Sequence, residues 1–186
     1  MPNEARWASF FDQEGALDRL LEIGSEYANI VEYGCGYGTF TLPAARRTKG
    51  VVTAIDIEPE LVAYVKKRAD AVGQANVQAV VRDFIADGTG LADRSQSHAM
   101  IFNLLHLEDP LALLRQAKRV LQTGGTVSVM HWRGDIPTPR GPPLKIRPTP
   151  QQCRKWMIES GLANIRTINL QSCCPHHFGL IGSRGK

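Results

Sequence analysis

Val31-Glu32-Tyr33-Gly34-Cys35-Gly36-Tyr37-Gly38-Thr39-Phe40-Thr41 is the stretch on which the fold of this chain turns. An acidic residue sits near the end of an apolar run, and glycine then occupies every second position, 34, 36 and 38. Alternating glycines suit a tight turn pressed against a neighbouring group, where β-carbons have no room. The apolar, alanine-rich segment that follows predicts a helix over 39–48. Strand, glycine turn and helix make the plan of a nucleotide site at the carboxyl end of a parallel strand.

Working outward, the strand before the turn is expected over 29–33. A second, β-branched strand over 51–56 ends in Asp56. Glu58-Pro59-Glu60 opens a helix, with proline in the first turn and acid at the positive end of the dipole, and Gly73 ends it. A third strand over 76–82 is closed by Asp83-Phe84, and a looser, acid-bearing segment follows to residue 97. A fourth strand is expected over 98–103. A helix starts at Pro110 and is stopped by Gly124-Gly125, so that strand five begins at 126 and ends at 132. Ahead of all this, Asp12 caps a helix over 13–23. The aromatics Trp7, Phe10 and Phe11 belong to an arm that either packs on the core or closes over a ligand.

Residues 133–150 carry six prolines (137, 139, 142, 143, 148 and 150), which exclude helix and central strand. This stretch reads as a long ordered connection across the top of the sheet, a candidate substrate lid. Thr149 caps a helix over 150–160, and 165–170 with 176–183 form a closing antiparallel pair. The pattern predicts one α/β domain over 1–186. Its sheet is Rossmann-like, doubly wound, seven-stranded and mostly parallel, with an antiparallel C-terminal strand pair.

Bulk properties bound the function. The 186 residues suffice for one core, and 43% hydrophobic with 22% charged is ordinary for a soluble protein. No apolar run approaches the ~20 residues of a membrane span, and the first residues lack an apolar signal core, so a cytoplasmic protein without membrane partners is expected. Cysteines 35, 153, 173 and 174 lack paired metal spacing and are expected as free thiols, with no metal. The net charge of +4 is uneven. Residues 133–186 hold nine Lys/Arg against Asp135 and Glu159, a net of +7, which leaves −3 for the first 132 residues. That excess is either a solvated basic face or a site for an anionic ligand or nucleic acid.

On the expected scaffold, Glu32, Asp56, Asp83 and Asn103 all stand at carboxyl ends of strands, on one edge. Asp56 follows Glu32 by 24 residues, about the spacing of an acid that accepts from ribose hydroxyls. A dinucleotide turn needs glycine or alanine three residues after Gly36, where this chain has Thr39, and no P-loop lysine is present. The turn lets a nucleoside pass closely without seating a pyrophosphate.

Several motifs in order complete the picture. They are Glu-x-Gly-x-Gly-x-Gly, the acid ending strand two, Asp-Phe after strand three, and Asn-Leu-Leu-His ahead of Pro-x6-Ala-Lys-Arg-Val-Leu-x-x-Gly-Gly. Together they resemble the class I S-adenosylmethionine-dependent methyltransferases, and within them the type 11 small-molecule group, over about residues 29–132 and on through the closing pair. The resemblance implies S-adenosyl-L-methionine as cofactor and S-adenosyl-L-homocysteine as product. It implies that Glu32 and the backbone of Gly34, Cys35, Gly36 and Gly38 hold the methionine part. Asp56 would take both ribose hydroxyls, and Ile57 would pack on the adenine. Asp83 would accept from the adenine amine beneath Phe84, and Asn103 and Leu104 would stand near the sulfonium.

A general base is needed only for an acceptor that must lose a proton, and His106 and His131 are the candidates near the sheet's upper edge. Trp132 is a candidate to stack on a substrate ring. Arg133, Arg140, Lys145 and Arg147 are candidates to clamp an anionic small molecule. Methyl transfer to a small acceptor is the expected function. An RNA or other nucleic-acid methyltransferase and a non-catalytic cofactor-binding protein are the alternatives. Strand four ends in Asn-Leu-Leu-His and not in an Asn/Asp-Pro-Pro-aromatic sequence, which speaks against a nucleic-acid partner.

Overall fold

The computed structural model describes residues 4–185; residues 1–3 of the N-terminal arm and Lys186 of the basic C-terminal third lie outside the described residues. Two short helices, α1 (Glu4–Ala8) and α2 (Gln13–Leu20), precede β1 (Ile30–Tyr33), α3 (Thr41–Arg46), β2 (Val52–Asp56), α4 (Pro59–Ala71) and β3 (Val77–Val81). Then come β4 (Gln96–Phe102), α5 (Pro110–Val120), β5 (Leu121–Trp132), α6 (Pro150–Glu159), β6 (Leu162–Ile168) and β7 (His177–Arg184). The seven strands form one sheet in the order β3-β2-β1-β4-β5-β7-β6. Strands β1 to β5 are parallel, and β7 runs antiparallel between β5 and β6.

β1 and β2 are buried along their whole length, as expected of central parallel strands covered on both faces. On one face Val31, Tyr33, Ile101 and Val129 pack against Leu113, Leu114 and Ala117 of α5 and Met157 of α6. On the other, Ile30, Met100, Met130 and Ile181 meet Leu17 and Leu20 of α2 and Ala44 of α3. Each fully buried aliphatic side chain contributes about 2 kcal/mol. The helices start where their sequences say. Asp109 accepts from Ala112 N at 2.8 Å at the head of α5. Thr149 and Gln152 form a reciprocal capping box at α6, at 2.8 and 3.2 Å.

Register levels the strand ends. Tyr33 pairs with Ile55 and with Ile101, and Asp56 pairs with Val81. The chain leaves β1 for β2 on one side, while β4 lies on the other side of β1, so the crevice opens between β1 and β4. This is where open α/β sheets take ligands.

Several boundaries differ from the sequence expectation. β5 starts at Leu121 and not at 126, because Leu121 pairs with Gln96 while Thr126 pairs with His98. Gly124 (φ +77°) and Gly125 form an irregularity inside the ladder and do not end it. A β-carbon on Gly125 would lie 2.9 Å from Gln122 O and 3.1 Å from Ser97 O. β6 likewise starts early, at Leu162, through an irregularity at Asn164 (φ +51°). α2 ends at Leu20 because Leu21 turns extended.

The 133–150 connection holds one 3-10 turn, Leu144–Ile146, and is gathered around Arg147. That guanidinium donates to Pro142 O (2.7 Å), Arg133 O (2.7 Å), Thr138 Oγ1 (2.6 Å) and Arg140 O (3.1 Å). Among the described residues no helix is long and apolar enough to cross a membrane.

Candidate functional site

The glycine turn leaves β1 with Gly34, Gly36 and Gly38 at φ of +68°, +54° and +75°. These are left-handed conformations that side chains with a β-carbon adopt at a cost. The first also serves a close approach, since a β-carbon on Gly34 would lie 3.0 Å from both methyls of Leu104. Gly36 N donates to Asp56 Oδ2 at 2.8 Å, and Glu58 N donates to Asp56 Oδ1 at 3.1 Å. The carboxylate ending β2 therefore holds the turn to the next strand.

Above these groups opens a cleft of about 810 Å³. Gly34, Gly36, Asp56, Ile57, Asp83 and Phe84 line it from β1, β2 and β3, and Asn103 and Leu104 from the end of β4. Eight of the positions expected to bind cofactor thus meet in one wall. Asp83 Oδ1 accepts from Ile85 N and Ala86 N, both at 2.9 Å, which orients the carboxyl. Phe84 stands edge-on to Tyr33 with ring centres 5.3 Å apart. Asn103 takes φ +60°, and its N–H donates to Met130 O at 2.7 Å. Its Oδ1 is buried without a protein partner, an acceptor open to a donor from the cleft. Such an orphan, with a wall of carboxylates, fits a nucleoside ligand that brings hydroxyl and amine donors.

Three of the expected positions do not form the wall. Glu32 is buried beneath the turn and accepts from Thr41 Oγ1. Burial pushes its carboxyl up to about 8; the Thr41 bond opposes that shift and the charge of Asp56 adds to it. Cys35 turns into the packing of Ala54, Val62 and Val65, where burial drives its thiol far above the ordinary range. Gly38 lies over Val65.

The histidine candidates come together. His106 Nδ1 lies 3.2 Å from His131 Nε2, and His131 Nδ1 lies 3.2 Å from Trp132 O. His131 is sealed in the core, and burial takes its ring down to about 4. His106 is half-buried and is lowered for the same reason.

The expected substrate residues are not in this cleft. Trp132 is 1% exposed, packed on Phe10 and on His177 at 5.6 and 4.1 Å between ring centres. The ring is used in the core and offers no face to a ligand. Arg133 pairs with Asp135 at 2.6 Å, and Arg140 is exposed in the connection. Arg133 and Arg147 border a second cleft of about 730 Å³ between the connection and β6–β7.

Trp7, from the arm expected to pack on the core or close over a ligand, lines the cleft, and α1 is fastened to α4 by Glu4, which accepts from Arg68 at 2.6 Å and from Tyr64. Arg68 also donates to Tyr37 O of the glycine turn at 2.8 Å. Arg82, Phe102, Leu107 and Glu108 complete the wall. The run between the end of β4 and Pro110 was the available signal, because every short loop at that strand end borders the crevice.

The family described as methyltransferase domain matches residues 30–125, a little over half of the chain. The chain belongs to the class I methyltransferase family. Aklanonic acid methyltransferase DauC of Streptomyces sp. (strain C5) is 29% identical to this methyltransferase over 115 residues, 59% of this chain and 51% of that protein. The ubiquinone biosynthesis O-methyltransferase of Xanthomonas oryzae pv. oryzae (strain PXO99A) is 35% identical over 101 residues, 53% of this chain and 40% of that one. The alignments thus span about half or less of those relatives' own lengths. In fold, the methyltransferase superposes on a SAM dependent methyltransferase from Aquifex aeolicus with TM-score 0.82 and 22% identity, covering 98% of this chain and 94% of that one.

Proposed function

We propose that this protein transfers a methyl group from S-adenosylmethionine to a small-molecule acceptor by in-line displacement. The observation that carries the proposal is the charge of the crevice. Asp56, Glu58, Asp83, Glu108 and Asp109 line it against the single guanidinium of Arg82. A wall of that sign repels a pyrophosphate and attracts a ligand with a sulfonium and an ammonium group. When bound, the cofactor supplies a methyl group on an electron-poor sulfur.

The chain's residues do the rest. Asp56, held by two backbone N–H groups, takes the ribose hydroxyls, and Asp83 takes the adenine amine between Ile57 and Phe84. Glu32, held neutral by burial in the free protein near pH 7, would release its proton beneath the turn as the amino end of the methionine part binds. Asn103 and Leu104 border the place where the methyl group is passed. Holding acceptor, carbon and sulfur in line accounts for most of the acceleration such a site can offer. Where the acceptor carries a proton, His106, backed by His131, is the base.

Most basic side chains of the C-terminal third have intramolecular partners, which supports a small acceptor over nucleic acid. Arg133 pairs with Asp135, Arg166 with Glu22 and Lys155 with Glu159. Arg147 and Arg184 are engaged by carbonyls, as is Arg154 through Ile165 O.

Calorimetry tests the proposal. S-adenosylhomocysteine should bind far more tightly than NAD, and Asp56→Ala should weaken it by at least ~30-fold, the loss of about 2 kcal/mol. Preference for NAD, or binding within a factor of about two in the variant, would refute it.

A further inference from the structure

The second cleft, of about 730 Å³, opens between the 133–150 connection, the head of α6 and the β6–β7 pair. That volume suits a small organic ligand. None of its lining residues lines the cofactor cleft. The cofactor positions stand at the ends of β1, β2, β3 and β4, while β7 and β6 lie beyond β5. The two clefts therefore hold separate ligands.

Charge in the second cleft is uneven. Asp135, the one carboxylate among its lining residues, is spent on Arg133. Arg147 has no carboxylate partner among the described residues; its bonds run to three carbonyls and the Thr138 hydroxyl. A guanidinium has five N–H groups, so those four bonds leave one donor, on Nη2. Burial among neutral oxygens lowers the Arg147 pKa, and an anion brought beside it would offset that cost.

The head of α6 adds a second donor. Pro150 has no N–H and Gln152 N is taken by Thr149 Oγ1 at 3.2 Å. Gln151 N has no partner among the described residues and sits at the positive end of a ten-residue helix. The third donor is buried. His177 lines the cleft at 4% exposure, and neither of its ring nitrogens has a protein partner. The ring is held against Trp132 and Phe11, with centres 4.1 and 4.9 Å away. Burial, with His131, His176 and Arg147 nearby, takes it down to about 3. The ring is therefore neutral near pH 7 and keeps one N–H. The rest of the wall is largely apolar, with Leu144, Pro148, Ile168, Leu170 and Phe178.

We infer that this cleft is a second ligand site, which takes an apolar monocarboxylic acid in its ionised form. Arg147 Nη2, Gln151 N and the His177 ring are the donors, and a carboxylate is acceptor-only. Two guanidiniums against one carboxylate leave a net +1 in the cleft. A single negative charge balances that, whereas a phosphate dianion would overshoot it beside Asp135. The apolar wall takes the body of the acid. The inference does not rest on the methyl-transfer reading, because no residue of the cofactor cleft takes part.

The test uses the full chain and para-fluorobenzoate, read by fluorine NMR, with para-fluorobenzamide and inorganic phosphate as controls. The carboxylate should bind with Kd below about 1 mM, and both controls at least ~10-fold more weakly. Arg133→Gln, which removes one positive charge, should weaken the carboxylate about fivefold. His177→Phe keeps a flat ring against Trp132 and Phe11 but has no N–H, and should weaken it by roughly 10-fold or more. In the wild type, nitrogen NMR should show the His177 ring titrating higher with the probe bound, since a carboxylate beside it favours the imidazolium. Saturating S-adenosylhomocysteine should change probe affinity by no more than about twofold. No binding of the carboxylate, equal binding of the amide or of phosphate, an unmoved His177 titration, or displacement by S-adenosylhomocysteine would overturn the inference. Should His177→Phe fail to fold, Arg133→Gln and the wild-type titration decide it. Calorimetry with S-adenosylhomocysteine alone reads the cofactor proposal separately, and its failure would leave this site standing.

Discussion

Glu32→Gln should make this protein more stable near neutral pH while weakening its grip on the cofactor. Glu32 is fully buried, and burial lifts its carboxyl from 4.5 to about 8. The folded chain therefore keeps a proton that the unfolded chain releases. Stability from this group is fully present below pH 4.5 and is lost as pH rises, until both states are ionised above about pH 8. Between about pH 5 and pH 7.5 the loss is 2.5 pH units at 1.36 kcal/mol each, about 3 kcal/mol. A glutamine has nearly the same shape, can still accept from Thr41, and does not titrate. In urea unfolding series, the difference between Glu32→Gln and wild type should be near zero at pH 5 and about 3 kcal/mol in favour of the variant at pH 7.5. Cofactor binding should move the other way. If the ionised carboxylate is what the ligand's amino group needs, wild-type affinity for S-adenosylhomocysteine should rise about tenfold per pH unit up to pH 8 and then level off. The variant should bind more weakly, with a flat profile. Unfolding free energies that stay parallel across this range would refute the claim that Glu32 is folded as a neutral acid.

The histidines oppose Glu32 in acid. Burial holds His98 at about 3, His131 at about 4 and His177 at about 3. Their stability is present above pH 6.5 and lost as pH falls, about 2 kcal/mol each by pH 5. Net stability should therefore drop from pH 6.5 to pH 5 in a pH series of unfolding curves, and a flat profile would show the rings are not buried neutral. Gly50→Ala should cost several kcal/mol, because a β-carbon there would meet Ala28 O at 2.4 Å and Tyr27 O at 2.6 Å, both backbone. A melting temperature within about 2 °C of wild type would disprove that contact. Arg147→Ala should loosen the 133–150 connection by removing its carbonyl bonds. Limited proteolysis should then cut within 133–150 while S-adenosylhomocysteine affinity stays within about twofold; an uncut connection would mean that proline alone orders it.

Strand and helix order was readable because the relevant signals are local. Val52–Asp56 is β-branched and apolar along its length because both faces are covered, and Pro59, Pro110 and Pro150 mark first turns wherever they fall. The two strand starts that moved furthest, Leu121 and Leu162, lie beside irregularities whose existence depends on what the neighbouring strand offers. Glycine at 124 looks the same in sequence whether it ends an element or lets one kink. In the cleft, the places of Asp56 and Asp83 followed from strand ends, while their bonds to backbone N–H groups came only from the structure. The burial of Glu32 did not, because depth beneath a turn is set by helices distant in sequence.

The sequence by itself determined the sheet's parallel core, the edge at which its acids gather and the glycine turn at its centre, because periodicity, strand ends and positive φ are written in neighbouring residues. Only the tertiary structure decided what the side chains beyond β5 do. Trp132 and Arg147 carry the same chemistry in core as in cleft, and long-range packing against Phe10, His177 and the connection's own carbonyls committed them to the fold. The same packing brought His106, from the loop after β4, to His131 at the end of β5, 25 residues away in sequence and 3.2 Å apart in space.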